Sequence, residues 1–150
     1  MAIAFSLSLP RDEASVPVVR HICRDALKTV GVTTSCSSDI ELAVTEACTN
    51  VLKHARGTRE EYDITIEIDE TSCAIRVVDS GGGFDHAGAG DHESAGSAEG
   101  GRGIHIMKAL VDSVSFVSKA QDGTTVHLEK ALDLTERSLL RQLAGPRDRA

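Results

Sequence analysis

The chain contains no tryptophan, one tyrosine and three phenylalanines. Its core is therefore expected to be aliphatic. Long apolar runs are also missing. Nothing approaches the ~20 residues needed to cross a bilayer as a helix, so no membrane partner is expected. The opening stretch MAIAFSLSLPRDE lacks the charged start of a secretion signal and meets Pro10 and two acidic residues at once. The expected location is the cytoplasm. None of the four cysteines, Cys23, Cys36, Cys48 and Cys73, forms a C-x-x-C pair, which argues against zinc. Cys23 and Cys48 fall inside helical apolar patterns and read as buried free thiols in a reducing compartment. Basic charge is in deficit, 16 Lys and Arg against 23 Asp and Glu, for a net charge of -7. That argues against a nucleic-acid partner, which needs clustered cations. It leaves room for a nucleotide, which backbone N–H groups and a metal can hold. Repeats and linkers are absent too. One domain over 1–131 is expected, with a tail over 132–150 in which a short helix from Thr135 ends near Gly145-Pro146 and the rest frays.

What is present centres on residues 39–55, DIELAVTEACTNVLKHA. At about 100° per residue, Ile40, Val44, Ala47, Cys48, Val51 and Ala55 share one side of a helix. Glu46 and Asn50 share the other, one turn apart, with Lys53 and His54 a further turn on. Ser38 to Glu41 matches S-x-x-E, a capping box that would start the helix there. Alone, such a polar side reads as a solvated face.

The flanking segments are regular. Ile3, Phe5, Leu7 and Leu9 alternate with small polar residues and read as a half-buried strand. A helix follows over 15–30, with Val18, Ile22, Ala26 and Val30 along one side and Gly31 as its C-cap. Arg20, Arg24 and Lys28 line another side. Tyr62 to Ile68 and Cys73 to Asp79 alternate as two strands of a hairpin. DSGGGFD (79–85) then opens a stretch of small and polar residues that closes at GGRG (100–103). A loop this long inside a compact domain is usually functional or disordered. Residues 104–114 read as a short helix. Residues 114–119 and 124–130 read as strands joined at a D-G turn.

The glycines change the meaning of the polar helix face. Glycines at a helix start expose N–H groups and the positive end of the dipole, a site for phosphate. An Asn oxygen suits Mg²⁺. A buried Asp at a strand end accepts a hydrogen bond from an exocyclic amine, and D-x-G-x-G lets the backbone pass beneath a flat base. The order does not match a Walker A loop, nor a Rossmann fingerprint.

The ordered set resembles the N, G1 and G2 boxes of the GHKL (Bergerat-fold) ATPases. TEACTNVLKHA is similar to the N box of the anti-sigma-factor serine protein kinases of the RsbW and SpoIIAB type. The resemblance spans roughly residues 3–130. It implies that Glu46 is the general base acting at the γ-phosphate of ATP and that Asn50 ligates Mg²⁺. It implies that Asp79 reads the adenine amine with support from Thr124, and that Gly81 and Gly83 shape the base pocket. Residues 84–100 would be an ATP lid, Gly101, Arg102 and Gly103 would wrap the phosphates, and His54 would lie near them. The implied protein is a homodimeric kinase that sequesters a sigma factor and phosphorylates an anti-sigma-factor antagonist on serine. The alternatives are an ATP-gated binding module without phosphoryl transfer, and a detached histidine-kinase-like ATPase domain. Strands and long helices without βαβ alternation predict an α+β fold: a two-layer sandwich with a mixed, mostly antiparallel sheet and helices on one face.

Overall fold

The computed structural model describes residues 2–54, 61–79, 98–119 and 123–144. Its elements run β1 (Ala2–Pro10), α1 (Ser15–Val30), α2 (Thr34–His54), β2 (Glu61–Asp69), β3 (Ser72–Asp79), α3 (Ala98–Leu110), β4 (Ser113–Lys119), β5 (Gly123–Ala131) and α4 (Leu139–Ala144). The strands form one sheet in the order β1-β2-β3-β5-β4, and each pairing is antiparallel. The helices form the second layer, so the expected α+β sandwich is what the chain adopts.

Alternation sets the sheet. Tyr62, Ile64, Ile66 and Ile68 on β2, Cys73, Ile75 and Val77 on β3, and Val126 and Leu128 on β5 all point into the core. On the opposite face Thr65, Glu67, Arg76 and Val117 are exposed. The β2–β3 turn is tied by Asp69, whose Oδ1 accepts from the N–H groups of Thr71 and Ser72, at 2.7 and 2.8 Å. Those donors hold the Asp69 carboxyl below its ordinary range. Helix α2 lies on β3 and β5 with α1 on one flank and α3 on the other.

Four readings of the sequence change here. Helix α2 starts at Thr34, not at the S-x-x-E box. Thr33 takes the capping role: its Oγ1 accepts from Cys36 N–H at 3.4 Å and its carbonyl from Ser37 N–H at 2.9 Å. Glu41 is drawn instead to Arg24, whose Nε lies 2.8 Å from its Oε1. The buried side of α1 is Val16, Val19, Cys23, Leu27 and Val30. Val18 and Ile22, expected inside, are 47% and 36% exposed. Two apolar rows lie about 100° apart on this helix, and only packing against α2 and the sheet chose between them. Helix α3 begins at Ala98, so the glycines at 100, 101 and 103 lie in its first turns, and β4 takes over at Ser113. Within the expected lid, 84–97 lie outside the described residues and 98–100 are helical.

All four cysteines are buried free thiols. Burial, with a smaller push from the Glu41 carboxylate, raises the Cys23 thiol to about 12. Burial raises Cys48 to about 12 and Cys73 further still. Tyr62 is anchored beneath α1, its hydroxyl 2.7 Å from Ser15 Oγ. No helix among the described residues is long and apolar enough to cross a membrane.

Residues 132–144 return to the body. Ser138 is fully buried, its hydroxyl donates to the Val30 carbonyl at 2.6 Å, and Leu140 is 2% exposed. Gly31 makes this possible. It ends α1 at φ 91°, and a Cβ there would lie 2.5 Å from Ser138 Cα. Gly31→Ala therefore combines left-handed strain with a backbone clash. It should lower unfolding free energy by ~1–3 kcal/mol in urea titration. An unchanged midpoint would mean that the α1–α4 junction is looser than it is drawn here.

Candidate functional site

The polar side of α2 is not a wet face. Helix α3 packs against α2, and its buried Gly103 stands over Glu46. A Cβ at 103 would lie 3.4 Å from Glu46 Oε2. Glu46 is half-buried as a result. One turn on, Asn50 is 5% exposed, and its amide nitrogen has no hydrogen-bond partner among the described residues. Buried amides are rarely left so. The same end of the sandwich holds the C-terminus of β3 and the start of β5. Asp79 and Thr124 face one another in register there, 1% and 0% exposed.

The structure thus brings Glu46, Asn50, Asp79, Thr124 and Gly103 to one end of the two layers. Gly101 and Arg102 occupy the first turns of α3, and His54 the last residue of α2, where only the backbone is described. Gly81 and Gly83 lie outside the described residues.

One participant escaped the reading of the sequence. Arg11, just past β1, has its Nε 3.2 Å from Asp79 Oδ2, with side-chain exposures of 16% and 1%. Between these two atoms the contact is an ion pair rather than an aligned hydrogen bond. The signal was there in the alternation. Leu9 points inward and Pro10 outward, so the next residue turns back toward the helix layer.

A polar helix side folded onto the strand ends of an antiparallel sheet, under the glycine-rich start of a second helix, defines an ATPase-type α+β sandwich. The profile of the histidine kinase-like ATPase domain matches residues 9–130. The chain belongs to that family, and within it to the group of the serine-protein kinases RsbW. The RsbW protein of Bacillus pumilus is 30% identical over 139 residues, covering 85% of each chain. That of Listeria innocua is 30% identical over 138 residues, covering 85% of this chain and 87% of its own. That of Bacillus subtilis is 26% identical over 137 residues. Among solved structures, the RsbU and RsbW domains of a Mycobacterium tuberculosis protein superpose with a TM-score of 0.68 at 20% identity. That similarity is one of fold. It covers 91% of this chain, which spans about a third (34%) of the other.

The Arg11–Asp79 pair should be visible in stability. Asp79→Asn removes the negative charge that lies against the Arg11 guanidinium and should cost ~1–3 kcal/mol. Chemical denaturation without nucleotide reads this directly. A variant as stable as the parent would show that the pair adds nothing to the fold.

Proposed function

We propose that the chain is an ATP-dependent serine-protein kinase and anti-sigma factor. In this reading it sequesters a sigma factor and phosphorylates a small antagonist on serine, acting as a homodimer in the cytoplasm. The observation that carries the catalytic part is the placement of Glu46 against Gly103, one turn from the buried Asn50 amide. A binding module has no need of a carboxylate held there. In this reading Glu46 takes the proton from the serine hydroxyl as that oxygen attacks the γ-phosphate. The N–H groups at the start of α3, with Gly101, Arg102 and Gly103, hold the phosphates. Asp79 accepts from the adenine amine, Thr124 supports it, and Gly81 and Gly83 pass beneath the base. His54 stands near the phosphates.

The residues fit a magnesium ion. An amide with its nitrogen end unpartnered can turn its oxygen outward, and Asn50 would be the ligand. When bound, the ion neutralises phosphate charge. Asn50 and Glu46 fix where that charge and the departing proton meet.

Glu46→Gln keeps the shape of the side chain and removes the base. ATP affinity should stay within a few-fold, while phosphorylation of the antagonist falls at least ~10²-fold. Wild-type turnover in this variant would place the base elsewhere. A wild-type chain that binds its partners and phosphorylates none of them would leave an ATP-gated binding module.

The partner surface is read from α1. Arg24 is engaged with Glu41, so the basic row reduces to Arg20 and Lys28, beside the exposed Val18 and Ile22. Apolar residues rimmed by cations on an acidic protein suit an acidic partner. Arg20→Glu should weaken partner capture roughly tenfold at low salt and leave ATP affinity unchanged. Equal capture by both proteins would return α1 to an ordinary solvated face.

A further inference from the structure

The inward row of β5 runs Thr124, Val126, Leu128 and Lys130. The first three are buried. Alternation calls for an apolar residue at the fourth position, and here it carries an ammonium on a side chain only 18% exposed. Lysine is rarely drawn in this far without partners. Its Nζ donates to the Leu110 carbonyl at 2.8 Å and lies 3.7 Å from Asp39 Oδ2. Leu110 is the last residue of α3, and Asp39 belongs to α2. One cation thus ties the sheet to both helices that carry the site. Its neighbours in β5 hold the same end of α3. The Glu129 carbonyl accepts from the Asp112 N–H, and the Ala131 N–H donates to the Asp112 carboxylate.

The tie lies in line with the site. Gly103 stands over Glu46. Leu110 lies seven positions after Gly103, and Asp39 seven before Glu46. The two helices therefore run antiparallel, matched at both ends of a stretch about 10.5 Å long. Helical carbonyls point along the axis toward the C-terminus. A donor on the Leu110 carbonyl is an end stop for α3, and it resists sliding along α2. We propose that Lys130 is a positioning residue: its ammonium sets the axial position of α3 on α2, and with it the spacing between Glu46 and the first turns of α3. The inference rests on the reading that Glu46 is the base and that those turns meet the phosphates. In that reading Lys130 touches no substrate group and acts through α3, about two helical turns from the chemistry.

The test reads geometry and turnover separately, on the full chain. Nitroxide labels at Leu42→Cys and Ile106→Cys, exposed sites one turn from Glu46 and Gly103, report the α2–α3 spacing by electron paramagnetic resonance. The four native thiols are buried and stay unlabelled. Methionine continues the apolar row of β5, and the Asp39 side chain already meets solvent, 41% exposed, so Lys130→Met should fold. In this variant the label spacing should shift or broaden. The kcat for transfer of the γ-phosphoryl group of MgATP, to the antagonist or to water, should fall ~10–10²-fold. ADP affinity should stay within ~3-fold, because the proposed base contacts lie on the sheet. Lys130→Arg keeps a charged donor and should restore both the spacing and most of the rate. If Lys130→Met melts too low to assay, Lys130→Gln, shorter and uncharged, takes its place with the same expectation. Unchanged label spacing, or wild-type kcat in the uncharged variants, would overturn the proposal. Equal losses of kcat and ADP affinity would also overturn it, and would leave Lys130 a residue of general stability. A shifted spacing together with wild-type turnover by Glu46→Gln would instead fail the base assignment and leave the tie between Lys130 and α3 intact.

Discussion

Helix α2 is buried on two sides at once, and the rest of the site follows from that constraint. Its apolar side, Ile40, Val44, Ala47, Cys48 and Val51, is fully enclosed against the sheet. Its polar side is covered by α3. A helix in the middle of its layer has little choice about where its polar groups go. Glu46 is therefore half-buried and Asn50 buried, and among the described residues the Asn50 amide nitrogen has no hydrogen-bond partner. That is costly for folding and useful for chemistry, because charge acts more strongly in a water-poor cleft.

Gly103 lies at the point where that coverage is made. Helix α3 approaches α2 through a residue with no side chain, and Met107, one turn on, fills the core beneath. A larger residue at 103 would meet the Glu46 carboxylate. The same first turns of α3 carry the glycines at 100, 101 and 103, at the end of the helix that favours anions. Close packing and the proposed phosphate contact thus make the same demand on sequence at this point.

The two layers meet the site from opposite directions. The sheet contributes Asp79 and Thr124 from adjacent strand ends, fixed by antiparallel register. The helices contribute Glu46 and Asn50. In the proposed reading the sheet end meets the flat base and the helix ends meet the phosphates. On the far flank, Gly31 and Ser138 lock α4 onto α1. This steadies the helix that presents Val18 and Ile22 to solvent.

Much of this was legible in the chain itself. Period-2 and period-3.6 patterns set the strands and α1 to within a residue or two, because burial on one face imposes its period on the sequence. The order of Glu46, Asn50, Asp79, Gly101, Gly103 and Thr124 pointed to one nucleotide-type site, since each type has a narrow chemical use. Three things waited for the tertiary structure. The start of α2 depended on whether Thr33 or Ser38 took the cap, and in the fold Thr33 takes it while Glu41 pairs with Arg24. The inward face of α1 depended on which of two neighbouring apolar rows met α2. The partner of Asp79 depended on a strand order that carries Arg11 across β2. Local pattern fixes which residues can share a face. Only packing between elements distant in sequence decides which face is covered, and which charges meet beneath it.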